Sequence, residues 1–135
     1  MSERQLYTPE EINALIPRLE FIMARLQQSA IALRQAAENV EHAAGEGSVR
    51  ALLEARPDLR SALDEFDALL HEIEAMGGEF KGLELGLVDF PGEVAGEPVL
   101  LCWQFGEKEV AYYHAREEGF AGRRLLSGGR LGYVQ

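Results

Sequence analysis

The sequence predicts an α+β fold, a long antiparallel helical hairpin packed against a small antiparallel sheet of about three strands. Three observations carry this expectation. Apolar residues recur every seven positions from Ile12 to Val40 and again from Leu52 to Ile73, the spacing that lays a stripe along one helix face. A glycine-containing break, Gly45-Glu46-Gly47, separates the two stripes. Beyond Gly78 the pattern changes to short runs of β-branched and aromatic residues punctuated by glycine and proline, which reads as strands and turns. The chain has 135 residues, enough for one core but not two. It is therefore read as a single domain, 1–135, with the hairpin over 8–78 and a β-meander and C-terminal loop over 79–135.

The first helix opens at Thr8-Pro9-Glu10-Glu11, a capping box with proline at the first helical position. Its stripe is Ile12, Leu19, Leu26, Leu33 and Val40, reinforced by Leu15, Ile16, Ile22 and Met23. Pro17 interrupts it and is expected to kink the helix or split off its first two turns. The helix is expected to end near Ala44. Ser48 can cap a following segment that reaches Pro57, where proline either opens a new helix or kinks a continuous one. Leu52, Leu59, Phe66 and Ile73, with Leu63 and Leu70, form the second stripe, which Gly77-Gly78 ends.

Strands are expected at Leu87–Phe90, Pro98–Phe105 and Glu109–His114, followed by a loop and a short last strand or tail. Pro91-Gly92 and Ala95-Gly96-Glu97 read as turns, and Gly106-Glu107-Lys108 as a tight hairpin. Alternation puts Val99, Leu101, Trp103 and Phe105 on one face and Leu100, Cys102 and Gln104 on the other. Three strands alone are marginal, so one face must rest on the helices. A helix of roughly 30 residues is about 45 Å long, whereas strands of about 6 residues span only about 20 Å. Apolar surface is thus left over at the alanine-rich distal end of the hairpin, and a homodimer through the hairpin is the expected remedy.

Acidic residues outnumber basic ones 23 to 13, for a formal net charge of −10. That balance argues against nucleic acid as a partner, since phosphate binders display a basic face. No apolar run approaches the roughly 18 residues needed to cross a bilayer, and the N-terminus lacks a signal-peptide core, so a cytoplasmic location is expected. One cysteine allows no internal disulfide, which agrees with a reducing compartment.

Chemistry-bearing residues concentrate after Gly86. Asp89 lies between Val88 and Phe90, so in a strand it breaks the apolar pattern and needs a partner if buried. His114 or Arg123 could serve, with a structural Asp–Arg pair or a turn cap as the plainer reading. His114 ends a strand beside Tyr112 and Tyr113, either as a metal ligand or general base or as a hydrogen-bonded strand-end residue. Arg123 follows Gly119-Phe120-Ala121-Gly122 and can bind a carboxylate or phosphate, or form an internal salt bridge. Asp89, His114, Arg123 and Tyr112 are the candidate ligand-binding residues. Asp89, Glu107 and His114 are the candidate metal ligands, which would suit a hard or borderline divalent metal ion. Glu107 sits at an expected hairpin tip, where solvation is the ordinary state. Cys102 and Trp103 read as core rather than chemistry, with nucleophilic catalysis by Cys102 and His114 as the alternative should their strands pair. His71-Glu72 fails as a zinc-protease motif because the fifth position is Ala75.

At GLVDFP (Gly86 to Pro91), CW (Cys102-Trp103), the Gly106-Glu107 pair, V-x-Y-Y-H (Val110 to His114) and GFAGR (Gly119 to Arg123) the chain resembles a bacterial family catalogued as a domain of unknown function, DUF2203. The likeness also takes in Tyr7-Thr8-Pro9-Glu10-Glu11 and Leu15-Ile16-Pro17, and so runs through essentially the whole chain. It implies a cytoplasmic bacterial protein and brings no reaction, substrate or cofactor. Three functional classes remain. The first is a homo-oligomeric binding or interaction module whose sheet holds a small anionic ligand, a metal or a protein partner. The second is a metal-assisted hydrolase or small-group transferase using Asp89, Glu107 and His114. The third is a purely structural dimer. The module ranks first because no complete catalytic constellation is present.

Overall fold

A computed structural model of the protein describes residues 5–44, 54 and 56–126. Helix α1 spans Pro9–Ala44 and α2 Pro57–Ala75. Strands β1 Glu79–Gly82, β2 Leu87–Val94, β3 Glu97–Gln104, β4 Tyr112–His114 and β5 Arg124–Leu125 follow, with a 3-10 turn at Phe120–Gly122 before β5. The strands form one antiparallel sheet in the order β1-β2-β3-β4-β5.

The capping box forms in both directions: Glu11 N–H donates to Thr8 Oγ1 (3.1 Å), and Thr8 N–H donates to Glu11 Oε1 (2.9 Å). Pro17 does not divide α1, which runs through it as one helix. Its ring is exposed, while Ile16 and Leu19 on either side are buried, so packing offsets the one backbone bond that proline removes. Helix α2 opens at Pro57. The two helices run antiparallel: Arg18 pairs with Glu72, Arg25 with Glu65, and Ala36 packs on Leu59. The expected Ser48 cap, the Gly45–Gly47 break, Leu52 and the Val40 side chain lie outside the described residues.

At the end of α2, Gly77 takes a φ of +97° and the Gly78 N–H returns to the Ile73 carbonyl at 3.0 Å, a glycine helix stop. Tyr7 occupies the space a Gly77 side chain would need, and its hydroxyl donates to the Met76 carbonyl (2.9 Å).

The main core joins Ile12, Leu19, Ile22, Met23 and Leu26 of α1, Leu69 and Ile73 of α2, and Val88, Phe90, Leu101 and Trp103 of the sheet. Leu33, Ala36 and Leu59 form a separate small cluster farther along the hairpin. The helices thus cover one face of the sheet near its centre, and the α1 stripe outruns it.

Three expectations about the sheet need correction. It has five strands rather than about three, because β1 and β5 are short edge strands with too few apolar residues to register as alternation. Pro91-Gly92 is no turn but lies inside β2. The Pro91 carbonyl accepts the Tyr7 N–H (2.8 Å), so residue 91 directs its backbone groups away from β3, and the missing proline N–H costs no β2–β3 bond. Gly106-Glu107-Lys108 is part of a seven-residue connection, 105–111, between β3 and β4. Trp103 Nε1–H donates to the Glu107 carbonyl (3.0 Å) and Gln104 N–H to Glu107 Oε1 (2.8 Å), which folds that connection on itself. Ala95-Gly96 does make a two-residue hairpin turn, both residues having positive φ (53° and 82°).

Candidate metal centre

The helix-free face of the sheet carries polar residues at its centre. Cross-strand register places Asp89 of β2 opposite Cys102 of β3, and His114 of β4 opposite Leu100 of β3. Partners directly opposite share a face, so Asp89, Cys102 and His114 converge while Val88, Phe90, Leu101 and Trp103 point into the helical core. All three are buried, with exposures of 2% for Asp89, 1% for Cys102 and 3% for His114. The segment after β4 lies over them. It is fastened by Arg116 on Glu79 (3.0 Å) and Arg124 on Glu118 (2.8 Å), with the Ala115 N–H on Glu118 Oε1 (2.9 Å).

His114 Nε2 lies 3.0 Å from Asp89 Oδ2, and Nδ1 lies 2.8 Å from the Ala115 carbonyl. A carbonyl only accepts, so Nδ1 carries a proton and donates it. One further proton then lies between Nε2 and Oδ2. The pair has no net charge whether that proton sits on the ring or on the carboxyl group, which is how burial becomes tolerable. Asp89 Oδ1 meets no partner in hydrogen-bonding geometry, and the donors beside the carboxylate are His114 and the weak S–H of Cys102.

The Cys102 thiol completes the group: one donor atom from each of the three residues lies within 4.8 Å of the others. Burial, followed by the neighbouring Asp89 carboxylate, pushes the thiol up to about 12, and Arg123 offsets only part of this. Such a thiol stays protonated at neutral pH and is no nucleophile without a cation beside it. Donor atoms around a tetrahedral zinc ion are roughly 3.3–3.8 Å apart. The sulfur therefore needs to move in, and the His–Asp contact to open slightly, for one ion to touch all three. An imidazole Nε2 whose Nδ1–H is held by a backbone carbonyl is the usual arrangement of a metal-bound histidine.

Of the other sequence candidates, Tyr112 lies opposite Cys102 on the same sheet face and Arg123 reaches the Cys102 thiol, but neither adds a metal donor to the group. Glu107 does not join Asp89 and His114; both its oxygens face Arg123 Nη2 at 2.9 Å. The same nitrogen donates to the Cys102 carbonyl (3.1 Å). The Arg123 guanidinium lies over the Tyr112 ring at 4.1 Å and the Phe120 ring at 5.0 Å, and its side chain is 10% exposed. Arg123 and Tyr112 thus fasten the covering segment to β3 at Cys102. Both Glu107 oxygens accept from Nη2, while Arg123 Nε is buried without a hydrogen-bond partner. His71 is exposed on α2, its Nδ1 on the Asp67 carbonyl.

Sequence reasoning considered Cys102 with His114 only as a nucleophile and missed it as a metal donor beside Asp89, although alternation did place it on the face opposite Trp103. It also missed Lys81, Glu118 and Phe120, which with Leu87, Gly119 and the three buried residues line a cavity of about 290 Å³. No helix among the described residues is long and apolar enough to cross a membrane. No curated protein and no solved structure matches the chain. A family model described as "Uncharacterized conserved protein (DUF2203)" matches residues 5–126, nearly the whole chain, which therefore belongs to the DUF2203 family.

Proposed function

We propose that this protein is a metal-binding module, homodimeric through its helical hairpin, in which Asp89, Cys102 and His114 hold one divalent ion. The unpartnered, buried Asp89 Oδ1 beside a thiol and an imidazole carries this reading. A buried carboxylate oxygen without a partner costs stability, and a cation at that point removes the cost. Nitrogen, sulfur and oxygen donors together favour a borderline ion such as zinc or cobalt(II) over magnesium or calcium. The set differs from the Asp89–Glu107–His114 group read from sequence, because Glu107 is bound to Arg123. A binding role is favoured over catalysis: Arg123 is paired with Glu107 and neither lines the cavity, and the protonated thiol offers no attacking group.

Protein purified without a metal-affinity tag is expected to carry close to one equivalent of a transition metal, or to take it up with a rise in melting temperature. Asp89→Asn retains a donor for Nε2, so it keeps the fold while losing the carboxylate ligand. Its affinity is expected to fall on the order of a hundredfold or more. Substoichiometric metal together with an unchanged melting temperature in excess zinc would contradict the proposal and leave a purely structural His–Asp pair.

A further inference from the structure

Resting on that metal reading, the geometry points to an open coordination position: the ion held by Asp89, Cys102 and His114 takes a small anionic ligand from the adjoining cavity. Three protein donors leave a tetrahedral ion one position short. Sites closed by four protein ligands are structural, whereas three-ligand sites accept an outside group. Among the described residues no fourth His, Cys, Asp or Glu joins the group. The other carboxylate on the cavity wall, Glu118, is held by the Ala115 N–H and by Arg124. All three donors line the cavity, so the free position faces it rather than the helical core.

The cavity walls define the ligand class. Leu87 and Phe120 are apolar, Gly119 leaves room, and Lys81 supplies a cation that it shares with Glu79 (3.3 Å), which Arg116 also pairs. A volume of about 290 Å³ is at the lower end of small-molecule clefts, which run from about 300 to 1,000 Å³. A divalent ion with the thiolate, the carboxylate and a neutral imidazole carries no net charge. An added anion then brings one negative charge, for which the Lys81 ammonium on the wall is the counterpart. A small carboxylate with a short apolar body fits both the cation and the walls.

Full-length, tag-free protein loaded with cobalt(II) tests this, with azide and then acetate as probes. Thiolate coordination gives a sulfur-to-cobalt charge-transfer band, and an exchangeable position makes the visible bands shift saturably with added anion at one equivalent per cobalt. Gly119→Leu adds a bulky side chain at the cavity wall. The backbone there is extended (φ −112°, ψ −156°) and an added Cβ meets no heavy atom within 4 Å, so the variant is expected to bind cobalt normally and azide at least tenfold more weakly. Lys81→Met is expected to weaken azide several-fold with the charge-transfer band intact. Visible bands that ignore azide and acetate in a protein that shows the charge-transfer band overturn the open position and leave the metal site standing. An azide response unchanged in both variants overturns the cavity as its location. Absence of the charge-transfer band in the unmodified protein overturns the metal site itself.

Discussion

At Cys102 two demands conflict. The thiol sits between Asp89 and the strand backbone, where burial and the carboxylate both oppose its ionisation and hold it near 12. A thiol raised in the folded state binds its proton more tightly there than in the unfolded chain. Its contribution to stability is whole below the ordinary value of 9 and is lost as pH rises from about 9 to about 12. Without added metal, the loss of melting temperature between pH 8 and pH 11 is therefore expected to be smaller in Cys102→Ala than in the unmodified protein, as thermal melts of the two side by side would show. Metal binding reverses the preference, because the ligand is the thiolate.

Arg123 is the second residue with a strong local argument. Arg123→Met leaves Glu107 with only the Gln104 N–H and removes the cation stacked on Tyr112 and Phe120. The expected cost is about 2–3 kcal/mol in denaturant unfolding, with Arg123→Lys recovering part of it but not the stacking. Asp89 and His114 were legible because each sets a polar side chain against an apolar strand pattern. Cys102 was not, since a buried core cysteine and a buried ligand look alike until the β2–β3 register is known. Glu107 was misplaced because its turn was read as a solvated hairpin tip, whereas the 105–111 connection folds back and presents the carboxylate to Arg123.

The elements meet at the junction of α2 and the sheet. Gly78 is enclosed by Val88, Ile73 and Phe90, and a Cβ there would lie 2.8 Å from a Val88 methyl and 3.1 Å from Phe90. Gly78→Ala is expected to destabilise by about 1–3 kcal/mol, measured by urea unfolding, without altering metal affinity, since the site is on the opposite sheet face. The two helices and the β2–β3 hairpin were legible because heptad stripes, a capping box and Ala95-Gly96 are signals carried by neighbouring residues. Strand β1 was not, and β5 was legible only as a short last strand or tail, because edge strands as short as Glu79–Gly82 and Arg124–Leu125 owe their conformation to pairing with residues distant in sequence. Pro91 misled for a related reason: its place in β2 depends on Tyr7, 84 positions earlier, arriving to use its carbonyl.

For the whole molecule, the length of α1 dominates. Its 36 residues extend about 54 Å, while the eight residues of β2 extend about 27 Å. Beyond Leu26 the hairpin is supported by the small Leu33–Ala36–Leu59 cluster, and Ile31 is half exposed. Pairing of two copies through the hairpin covers such surface. Sedimentation at micromolar concentration is expected to show a dimer, and Ile31→Glu to shift it toward monomer; a monomeric unmodified protein would refute this part of the proposal. The proposed dimer surface and the proposed metal site are on different parts of the molecule, so neither outcome depends on the other. The central claim is that Asp89, Cys102 and His114 form one metal site. It is tested most directly by cobalt(II) titration of the tag-free protein followed in the near ultraviolet. A charge-transfer band that saturates at one equivalent, is lost in Cys102→Ala and is weakened in Asp89→Asn is the predicted result; a featureless titration of the unmodified protein would contradict it.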